Sequence, residues 1–170
     1  MKHYNEIPPE SIEGNPFEMI GKRWFLITAG VPGDYNTMTG GWGALGYLWN
    51  RSVAIAYVRP VRHTFHFTEK NQWFTLSFFP ESQRKALQFC GSNSWRDVDK
   101  AAATGLTLFQ PTPETVSFTQ AELILVCRKL YAHFLKPGEF TDPSVDSACY
   151  PQHDHHRVYI GEITKVLGTE

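Results

Sequence analysis

Long runs of β-branched and aromatic residues constrain this chain more than any other feature. Ala121 to Leu135 and His156 to Leu167 carry Val, Ile, Tyr and Phe in the pattern of strands, and the Lys, Arg and His insertions in the first run suit a partly solvated face. Gln72 to Phe79 is a third such run, ended by Pro80, while Arg23 to Ala29 and Val53 to Val58 are shorter ones. Gly161 inside the last run marks a bulge or a close approach of neighbouring groups. Helical spacing is confined to two short segments. Pro80-Glu81-Ser82 opens one, with Ala86, Leu87 and Phe89 before Gly91, and Val98 to Ala103 is the other, with Gly105 just past its end. Gly30 to Tyr35 reads as a turn and Glu139 to Gln152, with Pro143 and Pro151, as a loop. Strands dominate, so the expected fold is mainly β. It is a closed or nearly closed barrel with a few short helices, one domain over residues 1–170 with a polar N-terminal arm at 1–20.

Charge and rings narrow the classes of partner. Lys+Arg number 16 and Asp+Glu 17, a formal net charge of −1, which gives no global attraction to nucleic acid or anionic membranes. Five Trp, seven Tyr and twelve Phe exclude intrinsic disorder, and they need surfaces to pack on, of which planar ligands are one. Cys90, Cys127 and Cys149 are odd in number, widely spaced and lack a C-x-x-C. A disulfide framework or cysteine-based zinc site is therefore not expected, and a reducing cytoplasm fits. The first residues show no apolar signal region, and no apolar run approaches membrane-spanning length.

Gly41-Trp42-Gly43-Ala44-Leu45-Gly46 matches the G-x-G-x-x-G fingerprint of dinucleotide-binding folds. That fingerprint needs a strand directly before it and a crossover helix after it. Here the preceding strand ends about ten residues earlier, and only six residues separate Gly46 from Val53. The match is rejected, and close approach of backbone to a flat ligand is the expected use of the glycines.

Three segments carry chemistry. Asn36-Thr37-Met38-Thr39-Gly40-Gly41-Trp42-Gly43 combines hydroxyls, backbone N–H groups, a thioether and an indole, the parts needed to hold a flat, polar-edged heterocycle. A plain glycine-rich hairpin with Trp42 in the core accounts for it equally well. Arg59-Pro60-Val61-Arg62-His63-Thr64 places two guanidiniums and a hydroxyl at a strand end, suited to a phosphate or to a solvated turn. Cys90 to Lys100, including Gly91, Ser94 and Asp97, runs from one helix into the next. Its N–H groups and Lys100 suit a phosphate, and Asp97 equally suits a first-turn acid.

In their order and spacing these segments resemble the flavin reductase-like family of FMN-binding split β-barrels, over about Trp24 to Leu167. The resemblance implies a Greek-key-like split barrel and a homodimer with FMN near the subunit interface. It implies that Asn36, Thr37, Met38 and Thr39, with Trp42 beside them, line the ring system and ribityl chain. Arg59, Arg62, Thr64, Ser94 and Lys100 would surround the phosphate, Cys90 and Gly91 belong to the same cofactor-binding set, and Ser77 matches a small polar position near the flavin. His156 corresponds to a histidine that lies beside flavin and dinucleotide in nicotinamide-using members, and is the implied catalytic residue. The chain departs from the family at Trp95, where glycine is common; a Trp there implies weaker flavin affinity or an indole stacked on a ligand.

His153-Asp154-His155-His156 looks like a metal site, but one short tract supplies too few ligands, and no native metal is expected. The leading expectation is an NAD(P)H:flavin oxidoreductase with NADH or NADPH as donor and a small molecule or protein as acceptor, since a cofactor would carry the chemistry. The rival is a flavoredoxin-like FMN electron carrier or binding module without efficient NAD(P)H turnover; a third reading is a split-barrel binder of haem or pyridoxal phosphate.

Overall fold

The computed structural model describes residues 3–94 and 98–169. Its strands are β1 (Asn5–Ile7), β2 (Phe25–Val31), β3 (Asp34–Gly40), β4 (Gly43–Leu48), β5 (Arg51–Val58), β6 (Trp73–Phe78), β7 (Leu108–Phe109), β8 (Ser117–Phe118), β9 (Leu123–Phe134) and β10 (Arg157–Gly168). The α-helices are α1 (Pro16–Glu18), α2 (His63–Lys70), α3 (Arg84–Ser92), α4 (Lys100–Thr104) and α5 (Pro143–Cys149). The main sheet runs β3-β2-β6-β9-β10-β5-β4 with every pair antiparallel, and β1 adds to β10. Strands distant in sequence are therefore neighbours, the Greek-key-like connectivity of a mainly β split barrel.

Period-2 alternation explains the two cores. On β2, Phe25, Ile27 and Ala29 face one cluster and Leu26 the other; on β9, Leu125 and Cys127 oppose Ile124 in the same way. The first cluster, with Phe74, Leu76, Phe78 and Tyr159, fills the barrel. The second seats Ala86, Leu87 and Cys90 of α3 and Ala101 of α4 on the outer face. Burial of this kind contributes about 25 cal/mol per Å² of apolar surface.

Gly161 is both a bulge and a close contact. The β9–β10 register shifts between Ile160 and Gly161, and a Cβ there would lie 2.7 Å from Phe74 Cζ and 3.0 Å from Cys127 Cβ. A second irregularity, between Ile163 and Lys165, divides β10: Arg157–Glu162 pairs with β5, and Val166–Gly168 pairs with β1.

Several expectations are corrected. The segment 36–43 is not a hairpin of two paired arms, because Asp34–Gly40 pairs along β2 as β3 and Gly43–Leu48 pairs with β5 as β4. β4 turns into β5 through a tight hairpin at Trp49 and Asn50, whose φ values of 54° and 56° are the left-handed pair that a two-residue hairpin takes. Gly40 and Gly41 approach the chain's own rings: a Cβ on Gly40 would lie 2.6 Å from the Phe25 ring, and one on Gly41 3.0 Å from Trp24. Arg59 to Arg62 is a turn as read, but His63 begins an unforeseen helix. The 139–152 loop contains α5, capped by Asp142, whose carboxylate accepts from Ser144 N at 2.9 Å. The second predicted helix starts later than Val98, at Lys100, with Asp99 as its cap and Gly105 at φ 71° closing it. The N-terminal arm is not merely polar: it forms β1 and α1, and Met19 and Ile20 just after α1 enter the barrel core.

Candidate functional site

β3, the turn after β5, and the α3–α4 junction converge on one face, where two small cavities share Met38 and Arg62. The inner one, about 140 Å³, is bounded by Asn36, Arg62, His63, Thr64, Ser94 and Lys100. The outer one, about 160 Å³, is bounded by Thr39, Gly41, Trp42, Tyr57, Arg59 and His156.

The inner cavity gathers buried hydrogen-bond donors. Lys100 is 3% exposed, and its Nζ donates to the carbonyls of Thr37 and Cys90, both at 2.8 Å. An ammonium has three protons, so one donor is left over. Burial, then the nearby Arg62, pull this lysine down to about 8, against the opposing influence of Cys90. Beside it Asn36 is fully buried; its Oδ1 accepts from Thr37 N at 2.7 Å, while its Nδ2 has no hydrogen-bond partner among the described residues. An orphaned buried donor is uncommon and costs about 1–3 kcal/mol, which an acceptor in the cavity would recover.

The outer cavity is aromatic. The His156 ring lies 5.0 Å from Trp42 and 6.1 Å from Tyr57, the latter edge-on. Its Nδ1 is 2.8 Å from the Tyr150 hydroxyl. Burial first, then the charge of Arg59, hold this imidazole down at about 4, so it is neutral at physiological pH. Arg59 NH1 donates to both carboxylate oxygens of Asp154 at 2.7 and 2.8 Å, and its NH2 to the Cys149 carbonyl at 2.9 Å. The hydrogen bond from Arg59 in turn keeps Asp154 below the usual carboxylate range.

The expected residues distribute unevenly. Asn36, Thr64, Ser94 and Lys100 line the inner cavity, Thr39, Trp42 and His156 the outer one, and Met38 and Arg62 both. Arg62 also donates to the Gly91 carbonyl at 2.9 Å, so Gly91 and Cys90 take part through backbone oxygens, with the Cys90 side chain in the core. Thr37 contributes its carbonyl, while its hydroxyl pairs with that of Thr28 at 2.8 Å. Arg59 does not join Arg62 at the inner cavity but stands at the outer one, paired with Asp154. Ser77 is not brought to either cavity; it is buried, with its hydroxyl 2.8 Å from that of Ser117. Trp95 lies outside the described residues. Sequence reasoning missed Tyr57, Tyr150 and Asp154. Only Tyr57 had a signal, since alternation along β5 puts it opposite the buried Val58.

Of the histidine tract, His155 Nε2 pairs with Asp146 Oδ1 at 2.6 Å, and no three His, Cys, Asp or Glu side chains are gathered as a metal site among the described residues.

No protein-family model and no curated protein sequence matches the chain. Solved structures do. An FMN-binding domain of a flavin reductases-like enzyme from Shewanella baltica superposes with a TM-score of 0.71 at 15% identity, covering 99% of this chain and 78% of that one. A flavoredoxin from Methanosarcina acetivorans gives 0.67 at 21% identity, covering 95% and 76%. The styrene monooxygenase flavin reductase from Pseudomonas putida gives 0.62 at 14% identity, covering 86% and 78%. With its antiparallel order, its divided β10 and these neighbours, the chain has the split-barrel fold of the FMN-binding flavin reductase-like and flavoredoxin proteins.

Proposed function

We propose that the chain is an FMN-binding oxidoreductase, with the flavin phosphate in the inner cavity and the ring system along Met38, Thr39 and Trp42. One observation carries this reading: the unpartnered Asn36 Nδ2 and the spare proton of buried Lys100 face one small cavity in a protein of this fold. Thr64 and Ser94 add hydroxyls around it, and Arg62 adds charge between the two cavities. Bound FMN would supply the redox chemistry, accepting hydride at its N5 from the C4 of NADH or NADPH. The chain's part is to bind, to orient two rings and to exclude water.

A wider apolar groove of about 480 Å³, lined by Phe17, Ile20, Trp42 and Tyr57, adjoins the outer cavity. We assign it to a second copy of the chain in a homodimer, since Phe17 is 85% and Trp42 49% exposed. The free thiols of Cys90, Cys127 and Cys149 suit a cytoplasmic setting. Among the described residues no helix is long and apolar enough to cross a membrane.

The second reading, an electron carrier without efficient NAD(P)H turnover, is favoured by the Arg59–Asp154 pair, which leaves the outer cavity without a free guanidinium at that point for a dinucleotide phosphate. The absorption spectrum of purified protein titrated with FMN, followed by anaerobic addition of NADH and NADPH, tests both. Flavin binding with rapid bleaching supports the reductase, binding with slow bleaching the carrier, and no binding overturns the proposal.

A further inference from the structure

We propose that Tyr150 is a positioning residue that locks His156 in the Nε2–H tautomer, so that the imidazole offers the outer cavity a fixed N–H donor rather than a base. A neutral histidine 2.8 Å from a phenol has two arrangements. Either the phenol donates to Nδ1 and the proton of the ring sits on Nε2, or Nδ1–H donates to the phenol oxygen and Nε2 is a bare acceptor. Tyr150 is 4% exposed, and among the described residues its hydroxyl has no other partner. The second arrangement would strand the phenol proton in the interior, whereas the first satisfies both groups.

The phenol is held where it can do this. Its ring stacks on His155 at 4.4 Å and 23°, and His155 is itself fixed by Asp146 at 2.6 Å. Arg59 Cζ stands 5.1 Å over the same ring, tied down by Asp154 and the Cys149 carbonyl. Both groups stay uncharged near neutrality: burial raises the Tyr150 phenol, and burial with Arg59 holds His156 down. Asp154 acts on His156 in the opposite direction, while Arg62 and His155 reinforce Arg59. Nε2 bonds no described protein group, and the ring borders the outer cavity beside Trp42 and Tyr57. What it offers is a neutral donor suited to a carbonyl oxygen or ring nitrogen of a flat heterocycle, stronger in effect as negative charge grows on that acceptor. The tautomer stands on this chain's own contacts; the identity of the acceptor rests on the FMN reading.

Long-range proton–nitrogen correlation spectra of 15N-histidine-labelled, flavin-free protein at neutral pH test it. The expected result is a protonated Nε2 and an unprotonated Nδ1 for His156, changing to a mixture of tautomers in Tyr150→Phe. Protonated Nδ1 in the unaltered protein overturns the proposal, as does an unchanged tautomer in a folded Tyr150→Phe. Should that variant not fold, the spectrum of the unaltered protein alone decides. In flavin-loaded protein, Tyr150→Phe is expected to weaken the preference for reduced flavin about tenfold, a midpoint shift of about −30 mV; an unchanged potential removes the donor role. Failure of the unaltered protein to bind FMN would overturn the functional reading and leave the tautomer intact.

Discussion

The ammonium of Lys100 donates to the Thr37 carbonyl at 2.8 Å and so ties the first turn of α4 to the middle of β3. One side chain thereby joins the outer helical layer to the strand that borders both cavities, and it is the charge at the bottom of the inner one.

Replacing it with a neutral side chain of similar length should remove the anion site. In Lys100→Met, FMN affinity is expected to fall about 100-fold, since a charge-assisted hydrogen bond is worth about 1.5–3 kcal/mol. Quenching of flavin fluorescence on titration measures it; affinity within threefold of the unaltered protein would remove Lys100 from the phosphate site.

The same lysine sets an alkaline dependence. Its value near 8 in the folded protein lies below the ordinary 10.5, so the unfolded chain binds more protons across that interval. Flavin-free stability should therefore rise as pH increases from about 8 to about 10, while FMN affinity falls over the same range as the ammonium loses its proton. Urea denaturation against pH reads the first trend and flavin titration the second, and both should flatten in Lys100→Met.

His156 sets an acid dependence of the opposite placement. Its value is about 4 when folded against 6.5 when unfolded, so between these limits the unfolded chain again binds the extra proton. Stability should be lost as pH falls from about 6.5 to about 4, by about 3 kcal/mol in total. In His156→Gln that part of the loss should vanish from thermal melts.

Gly161 should tolerate no side chain. Gly161→Ala places a methyl 2.7 Å from Phe74 and 3.0 Å from Cys127, and overpacking of this kind costs about 1–3 kcal/mol. Combining it with Phe74→Leu should restore part of the loss; purely additive destabilisation in denaturant melts would point to backbone strain instead.

Much of the barrel was legible because its long strands are rich in β-branched and aromatic residues. The observed limits of β9 and β10 fall within two residues of those expected. β3 was hidden because it buries polar residues on both faces: Asn36 and Thr37 look like loop residues until the Thr28 hydroxyl and the Lys100 ammonium are found on Thr37. α2 was hidden because His63-Thr64-Phe65-His66-Phe67-Thr68 is a poor helix by propensity, and its last carbonyls are capped by Lys129 from β9, donating to Thr68 and Glu69. At the site, Lys100 and Asn36 could be found from their segments. The partner of Arg59 could not, because Asp154 lies 95 positions further along the chain and nothing local pairs them.

The bulge at Gly161 has a last consequence. A strand that slips register against one neighbour and keeps it against the other must bend at that point. Gly161 stays paired with Ala54 of β5 while its pairing with β9 shifts, so the bend falls between those two neighbours. The residue with no side chain is what lets the Phe74 ring and Cys127 close over it.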